Sequence, residues 1–441
     1  MRVAPRPLRG YANCFMPCCL FLLEDGPVSP NATGGGSALT YNRLELVANS
    51  GYEVALGVLS DRSRPGKLDQ FMREQPAASD AVRAWCSSRH TIPLRRGARR
   101  RAPLRHALLA VTDLSRYFHR RIAEESITRL KQIIAEVRPE LIWAEDWLAA
   151  TLAVKAGPRL PIVYSHHDWM WRVKHFRHAE ATGTWKGRVK AWLRRRQDAS
   201  VLRRVSGCVS ASASEAAEAR RLGARHATYF PITYAPAEVR THAAEGPPRI
   251  VHLGGMQTTA NRLGLQRFLD IAWPVICQGP GSPPELWNVG SLGDAPEPLL
   301  ASLKRVGGVN TGFVPDLSSV LRPYDVHIIP WEHDTGTRTR IPLVLSFGQV
   351  LVSTKAAAAC LPDLRSGHDC LLVDNLEAMG REILALLPDA QRRRRLGRSA
   401  QSTFFSHFTR KAVQPRFDEF ISTLRANTLA SGDAGPRDER S

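Results

Sequence analysis

The chain has 441 residues, with 61 Lys and Arg against 41 Asp and Glu, a formal net charge of +20. That length suits two or three domains, and 43% hydrophobic with 23% charged residues excludes a disordered or collagen-like chain. No apolar run reaches the roughly 18 residues of a transmembrane helix, and eight dispersed cysteines without a C-x-x-C pair point to free thiols in a reducing cytoplasm and to no structural zinc.

In chain order, Arg2, Arg6 and Arg9 precede an apolar run over 12–23. The run has the look of a signal peptide, but no small-residue cleavage site follows it. It therefore reads as a buried first strand, and the Asn31–Thr33 sequon carries no meaning in a cytoplasmic chain. Gly34–Gly36 and an amphipathic helix with Leu39, Leu44, Leu46 and Val47 come next. That helix stops at Gly51, and GYEVALGVLSD reads as a second strand. Strand, glycine loop, helix and strand make one βαβ unit. Gly35 and Gly36 let a backbone approach a ligand closely, although a plain tight turn looks the same.

The charge is concentrated further on. Between Arg89 and Arg204 there are 26 Lys and Arg against 10 Asp and Glu. Two stretches dominate, Arg95–Arg105 and Arg172–Arg204, and the second contains a helix with Trp185, Val189, Trp192 and Leu193 at helical spacing. Either these are solvated arginine-rich faces, or they form a surface that lies on anionic lipid at the inner face of a membrane. No nucleic-acid-binding motif accompanies the charge, so nucleic acid is not an expected partner.

The α/β rhythm continues with a helix over Ser126–Val137 and a strand, LIWAEDW, ending at Glu145 and Asp146. PRLPIVYSHHDW is a strand ending at His166, His167 and Asp168, and SGCVSAS is another. Ser212 and Glu215 then form an S-x-x-E capping box. After a linker near 235–248 the pattern restarts with PRIVHLGG, ELWNVGS, DVHIIPW, a helix over Thr337–Phe347, QVLVST and DCLLVD. The reading is an α/β chain of two doubly wound, Rossmann-like domains facing a central cleft. Domain one covers 1–240 and domain two covers 248–410. A helix over 411–428 packs back on the first domain, and 430–441 form a disordered tail.

Six ordered blocks carry a family resemblance: GGMQTTAN (254–261), GFVPD (312–316), DVHIIP (325–330), DTGTRTR (334–340), GQVLVST (348–354) and CLLVDN (370–375). The stretch 249–424 resembles the carboxyl-terminal domain of family-four glycosyltransferases of the GT-B fold, most closely the bacterial exopolysaccharide branch. The resemblance implies transfer of a hexose from a UDP- or GDP-sugar to a glycan or lipid-linked acceptor. It also implies retention of configuration by front-face attack, with no cofactor and no metal. Donor-binding positions would be Gly254, Gly255, Phe313, Asp316, Gly336, Thr337, Arg338 and Arg340. The residues alone support part of this: a helix opened at Gly336 and Thr337 would turn free N–H groups on an anion, and two arginines would add charge. By the resemblance His167, with His166 as runner-up, reaches the donor sugar. Asp168 orients an imidazole or binds an acceptor hydroxyl. Glu145 and Asp146 contact acceptor hydroxyls or cap the following helix.

Two departures stand out. The family usually carries two glutamates, at the positions of Thr335 and Leu343 here, and the second holds the nucleotide ribose. Leucine cannot accept that hydrogen bond, a loss worth about 1–3 kcal/mol. The alternative reading is therefore an inactive homologue that serves as a scaffold in glycan assembly.

Overall fold

The computed structural model describes residues 16–29, 35–60, 66–94, 122–169, 171, 185–237 and 247–432. The run Arg95–Arg105, Gly34, the sequon, 172–184 and the tail from 433 lie outside the described residues.

Two parallel sheets organise the chain. The first holds β1 (Cys18–Glu24), β2 (Glu53–Ser60), β3 (Cys86–Pro93), β4 (Leu141–Glu145), β5 (Ile162–His166), β6 (Gly207–Ser210) and β7 (Ala227–Tyr229), in the order β3-β2-β1-β4-β5-β6-β7. The second holds β8 (Ile250–Leu253), β9 (Leu286–Val289), β10 (Val309–Gly312), β11 (Val326–Ile329), β12 (Val350–Thr354) and β13 (Cys370–Val373), in the order β10-β9-β8-β11-β12-β13. Apolar runs such as CCLFLLE and VLVST bury both faces, as strands covered by helices on either side require. Each sheet reverses direction beside its own first strand, between β1 and β4 and between β8 and β11. In such folds the ligand crevice opens at the carboxyl ends of those strands.

The first strand begins at Cys18 and ends at Glu24, and of the expected strand over 12–23 residues 12–15 lie outside the described residues. The edge strand β3 was not legible in CSSRHTIP, where exposed residues alternate with half-buried ones that are themselves mostly polar. The largest local correction concerns 330–347. The expected helix from Thr337 starts only at Arg340 and ends at Ser346. Residues 330–339 form an irregular loop instead, because Gly336 sits at φ +64°, a left-handed conformation that breaks a helix.

A long final helix, Arg410–Gly432, leaves the second domain and packs on the first. Its Val413, Phe417, Ile421 and Leu424 enter the core around Phe21 and Trp143. The Phe417 ring lies 5.5 Å from that of Trp143. All described cysteines are free thiols. No helix among the described residues is long and apolar enough to cross a membrane.

Candidate active site

Three strand ends and one helix start converge between the domains. From the first domain, β5 delivers His167 and Asp168, and the helix Gly35–Asn49 starts against them: a Cβ on Gly36 would lie 3.5 Å from His167 Nδ1. From the second domain, the loop after β11 brings Gly336 against Asp168 and Thr339 against Gly35. Behind that loop, the turn after β8 places Gly254 against the Arg340 guanidinium. Gly254 has φ +140°, and a Cβ there would collide with Arg340 and Asn261, so only glycine fits.

His167 has an ionic environment of its own. Its Nε2 lies 2.5 Å from Glu145 Oε1, and the other Glu145 oxygen accepts the Trp143 indole N–H at 2.8 Å. Burial disfavours an imidazolium here, but the hydrogen bond and charge of Glu145 prevail and raise His167 to about 9. Burial likewise opposes the Glu145 charge, yet His167, Trp143 and the buried Arg43 hold its carboxyl below the usual range. Glu145 is thus occupied by His167 and Trp143. Asp146 adopts φ +69° and folds its carboxylate onto the next backbone N–H, that of Trp147, at 2.6 Å.

His166 points the other way. It is buried, its Nδ1 lies 3.0 Å from the Tyr164 hydroxyl, and its ring stacks 3.8 Å from that of Trp169. Burial drives it down to about 3, so it is neutral. Its Nε2 lies 3.2 Å from the Glu215 carboxylate. Glu215 is the site residue that sequence reasoning missed. The capping box forms by half: Ser212 accepts the Glu215 N–H at 3.3 Å. The Glu215 carboxylate, however, reaches across the cleft and accepts the Gly336 N–H at 3.2 Å. The only sequence signal was the helix-start motif, which spoke for a local role. Asp168 keeps a solvent-facing edge, while enclosure by the cleft walls and the Glu215 charge push its carboxyl up to about 6.

The arginines sit on the loop and at its end, and the helix they open is too short to serve as an anion site. Arg338 donates to the Thr335 carbonyl. Arg340 donates to the Leu253 carbonyl and, at 2.8 Å, to Asn261 Oδ1. The Nε atoms of both, and the Thr337 hydroxyl, are buried without a hydrogen-bond partner. Burial, then the neighbouring Arg338, lower Arg340 to about 9. A buried cationic group short of partners is costly unless an anion completes it. Thr335 is buried and accepts the Trp331 indole N–H at 2.9 Å, and Leu343 packs with Val251, Val289 and Phe347. Neither position carries an acid. Gly255 follows Gly254 in the same turn. Phe313 stands exposed beyond edge strand β10, and Asp316 caps the turn Leu317–Ser319 by accepting the Ser318 N–H at 2.9 Å. No group of three or more His, Cys, Asp or Glu among the described residues is arranged to hold a metal.

Two family models match the chain: a glycosyl transferase 4-like domain over residues 34–235 and glycosyl transferases group 1 over 247–389. No curated protein sequence matches. Among solved structures, sucrose-phosphate synthase from Thermosynechococcus elongatus is 16% identical, with a TM-score of 0.65 over 93% of this chain and 100% of that one. HepE of Anabaena in complex with UDP is 15% identical, with a TM-score of 0.63 over 92% and 100%. The lipopolysaccharide outer core galactosyltransferase WaaB is 11% identical, with a TM-score of 0.60 over 92% and 99%. At these identities the structural likeness speaks for the fold, and the two family models, in order across most of the sequence, speak for the family. The chain belongs to the family-four glycosyltransferases of the GT-B fold.

Proposed function

We propose that this glycosyltransferase moves a hexosyl group from a UDP- or GDP-sugar to a glycan or lipid-linked glycan acceptor, with retention and without a metal ion. One observation carries the donor assignment. At the carboxyl ends of the switch-point strands, Thr337, Arg338 and Arg340 leave three buried donors without partners beside a glycine turn. A nucleoside diphosphate supplies the oxygens such donors need, and its developing charge is what departure of the leaving group must have stabilised. That HepE was solved with UDP-glucose supports a nucleotide-sugar donor.

In this reading Arg338 and Arg340 hold the diphosphate and His167, kept cationic by Glu145, faces the donor from the first domain. Asp168 positions the acceptor side. The departing phosphate takes the acceptor proton. The ribose subsite lacks an acid at Leu343, so the diphosphate contacts of the two arginines carry a larger share of what nucleotide affinity remains.

Calorimetry with a panel of UDP- and GDP-sugars, paired with release of nucleoside diphosphate, tests the proposal. One donor should bind and be cleaved, and Arg338→Ala should weaken binding by about tenfold or more. Chelation should leave turnover intact. Absence of binding across the panel would favour the scaffold reading that Leu343 motivates.

A further inference from the structure

Of the eight large hydrophobic side chains exposed among the described residues, three lie on one helix, Trp185–Leu202. Trp185 is 66%, Val189 45% and Trp192 47% exposed. Their spacing of four and three residues puts them on one face. Arg188 and Arg196 are also exposed and, at about 100° per residue, fall within roughly 100° of arc with them, whereas Arg195 at the margin donates to Glu218 of the same domain at 3.1 Å. Arg196 lies 4.5 Å above the Trp192 ring.

The opposite face is tied to the domain. Arg194 lies 4.2 Å over the Trp147 ring, and Gln197, Asp198, Val201 and Leu202 are buried. The helix therefore cannot roll its tryptophans inward without losing these contacts. Tryptophan and arginine mixed on one exposed face suit the headgroup region of a bilayer, where an indole finds both apolar and polar surroundings and a guanidinium meets phosphate. The charge selects the lipid: the segment 89–204 carries most of the net positive charge of the chain. The same charge opposes a second copy of this chain on that face.

We infer that the exposed face of the helix Trp185–Leu202 docks on an anionic lipid bilayer and so presents the cleft to acceptors at a membrane surface. This goes beyond glycosyl transfer and does not depend on it, because vesicle binding is read without any reaction.

Full-length protein is sedimented with phosphatidylcholine vesicles, alone or with phosphatidylglycerol added, at increasing salt. The expected result is co-sedimentation with the anionic vesicles only, declining with salt. Trp185→Ser with Trp192→Ser should weaken partitioning by about tenfold or more while the melting temperature holds. Leu263→Ser, at an exposed leucine of the second domain, should bind as the parent does. Failure to bind anionic vesicles, or a double variant that binds undiminished, overturns the inference. So does a self-association, or a polyuridylate affinity, that the double variant abolishes in place of vesicle binding.

Discussion

At the residue scale, the pair Glu145–His167 shows how burial and a single partner set a charge. Burial alone would lower the imidazole below its ordinary 6.5; Glu145 lifts it to about 9. The sign of the consequence follows. Any binding or stability that needs the imidazolium is fully present below 6.5 and is lost as pH rises through about 9. Glu145→Gln removes the lift and leaves the burial, so His167 becomes neutral at pH 7. An NMR titration of the histidine ring protons should show its midpoint moved from about 9 to below the ordinary 6.5, and the alkaline limb of the donor-binding profile should move with it. A midpoint left near 9 would remove Glu145 from this role. Sequence reasoning found both residues, because each lies at the end of a parallel strand, but for Glu145 it offered an acceptor contact or a helix cap and not the pairing with His167. The two residues are 22 positions apart, and only pairing of β4 with β5 brings them together.

At the element scale, the decisive piece is the loop between β11 and the helix Arg340–Ser346. A motif containing glycine, threonine and arginine after a strand reads as a helix start. Here the left-handed Gly336 delays the helix, and the loop is tied instead to the first turn of the helix Ala213–Arg221. Ser214 and Glu215 of that turn make the tie, and Ala213 beside them bonds another segment of the second domain. Ala213 N–H donates to the Cys360 carbonyl at 2.9 Å, the Ser214 hydroxyl to Asp334 at 2.8 Å, and Glu215 accepts from Gly336. A double-mutant cycle on Ser214→Ala and Asp334→Ala, read by thermal unfolding, should give a coupling of about 0.5–1.5 kcal/mol. Additive effects would mean that the hydroxyl does not link the domains. The turn at Gly254 makes a second prediction. Gly254→Ala combines steric collision with positive-φ strain of about 1–3 kcal/mol. It should lower the melting temperature and, by displacing Arg340, donor affinity as well. Unchanged donor affinity in a folded variant would separate that turn from the arginine.

At the scale of the whole molecule, two sheets with the same switch-point order face each other, and the final helix returns to the first domain to close the chain. Val413, Phe417 and Ile421 belong to the first domain's core although they follow the second in sequence. Unfolding of the two domains should therefore be coupled. Truncation before residue 410 should expose the Phe21–Trp143 face and lower the melting temperature of the first domain, as calorimetry would show; an unaffected first-domain transition would contradict this packing.

Much of this architecture was legible in the chain itself. Apolar runs bounded by glycine and proline, alternating with amphipathic segments, determined the α/β class and the tandem series, because burial on two sheet faces imposes that pattern locally. Strand ends with polar residues marked where chemistry gathers. Tertiary structure alone decided which polar groups meet: that Glu145 serves His167, that Glu215 crosses to Gly336, and that the half-buried Arg340 has its Nε enclosed without a partner. Those pairings join residues from 22 to 121 positions apart, and their charges depend on the burial that folding creates. Periodicity records what a segment does with its own neighbours, whereas the ionisation of a site is set by groups that only the folded chain brings together.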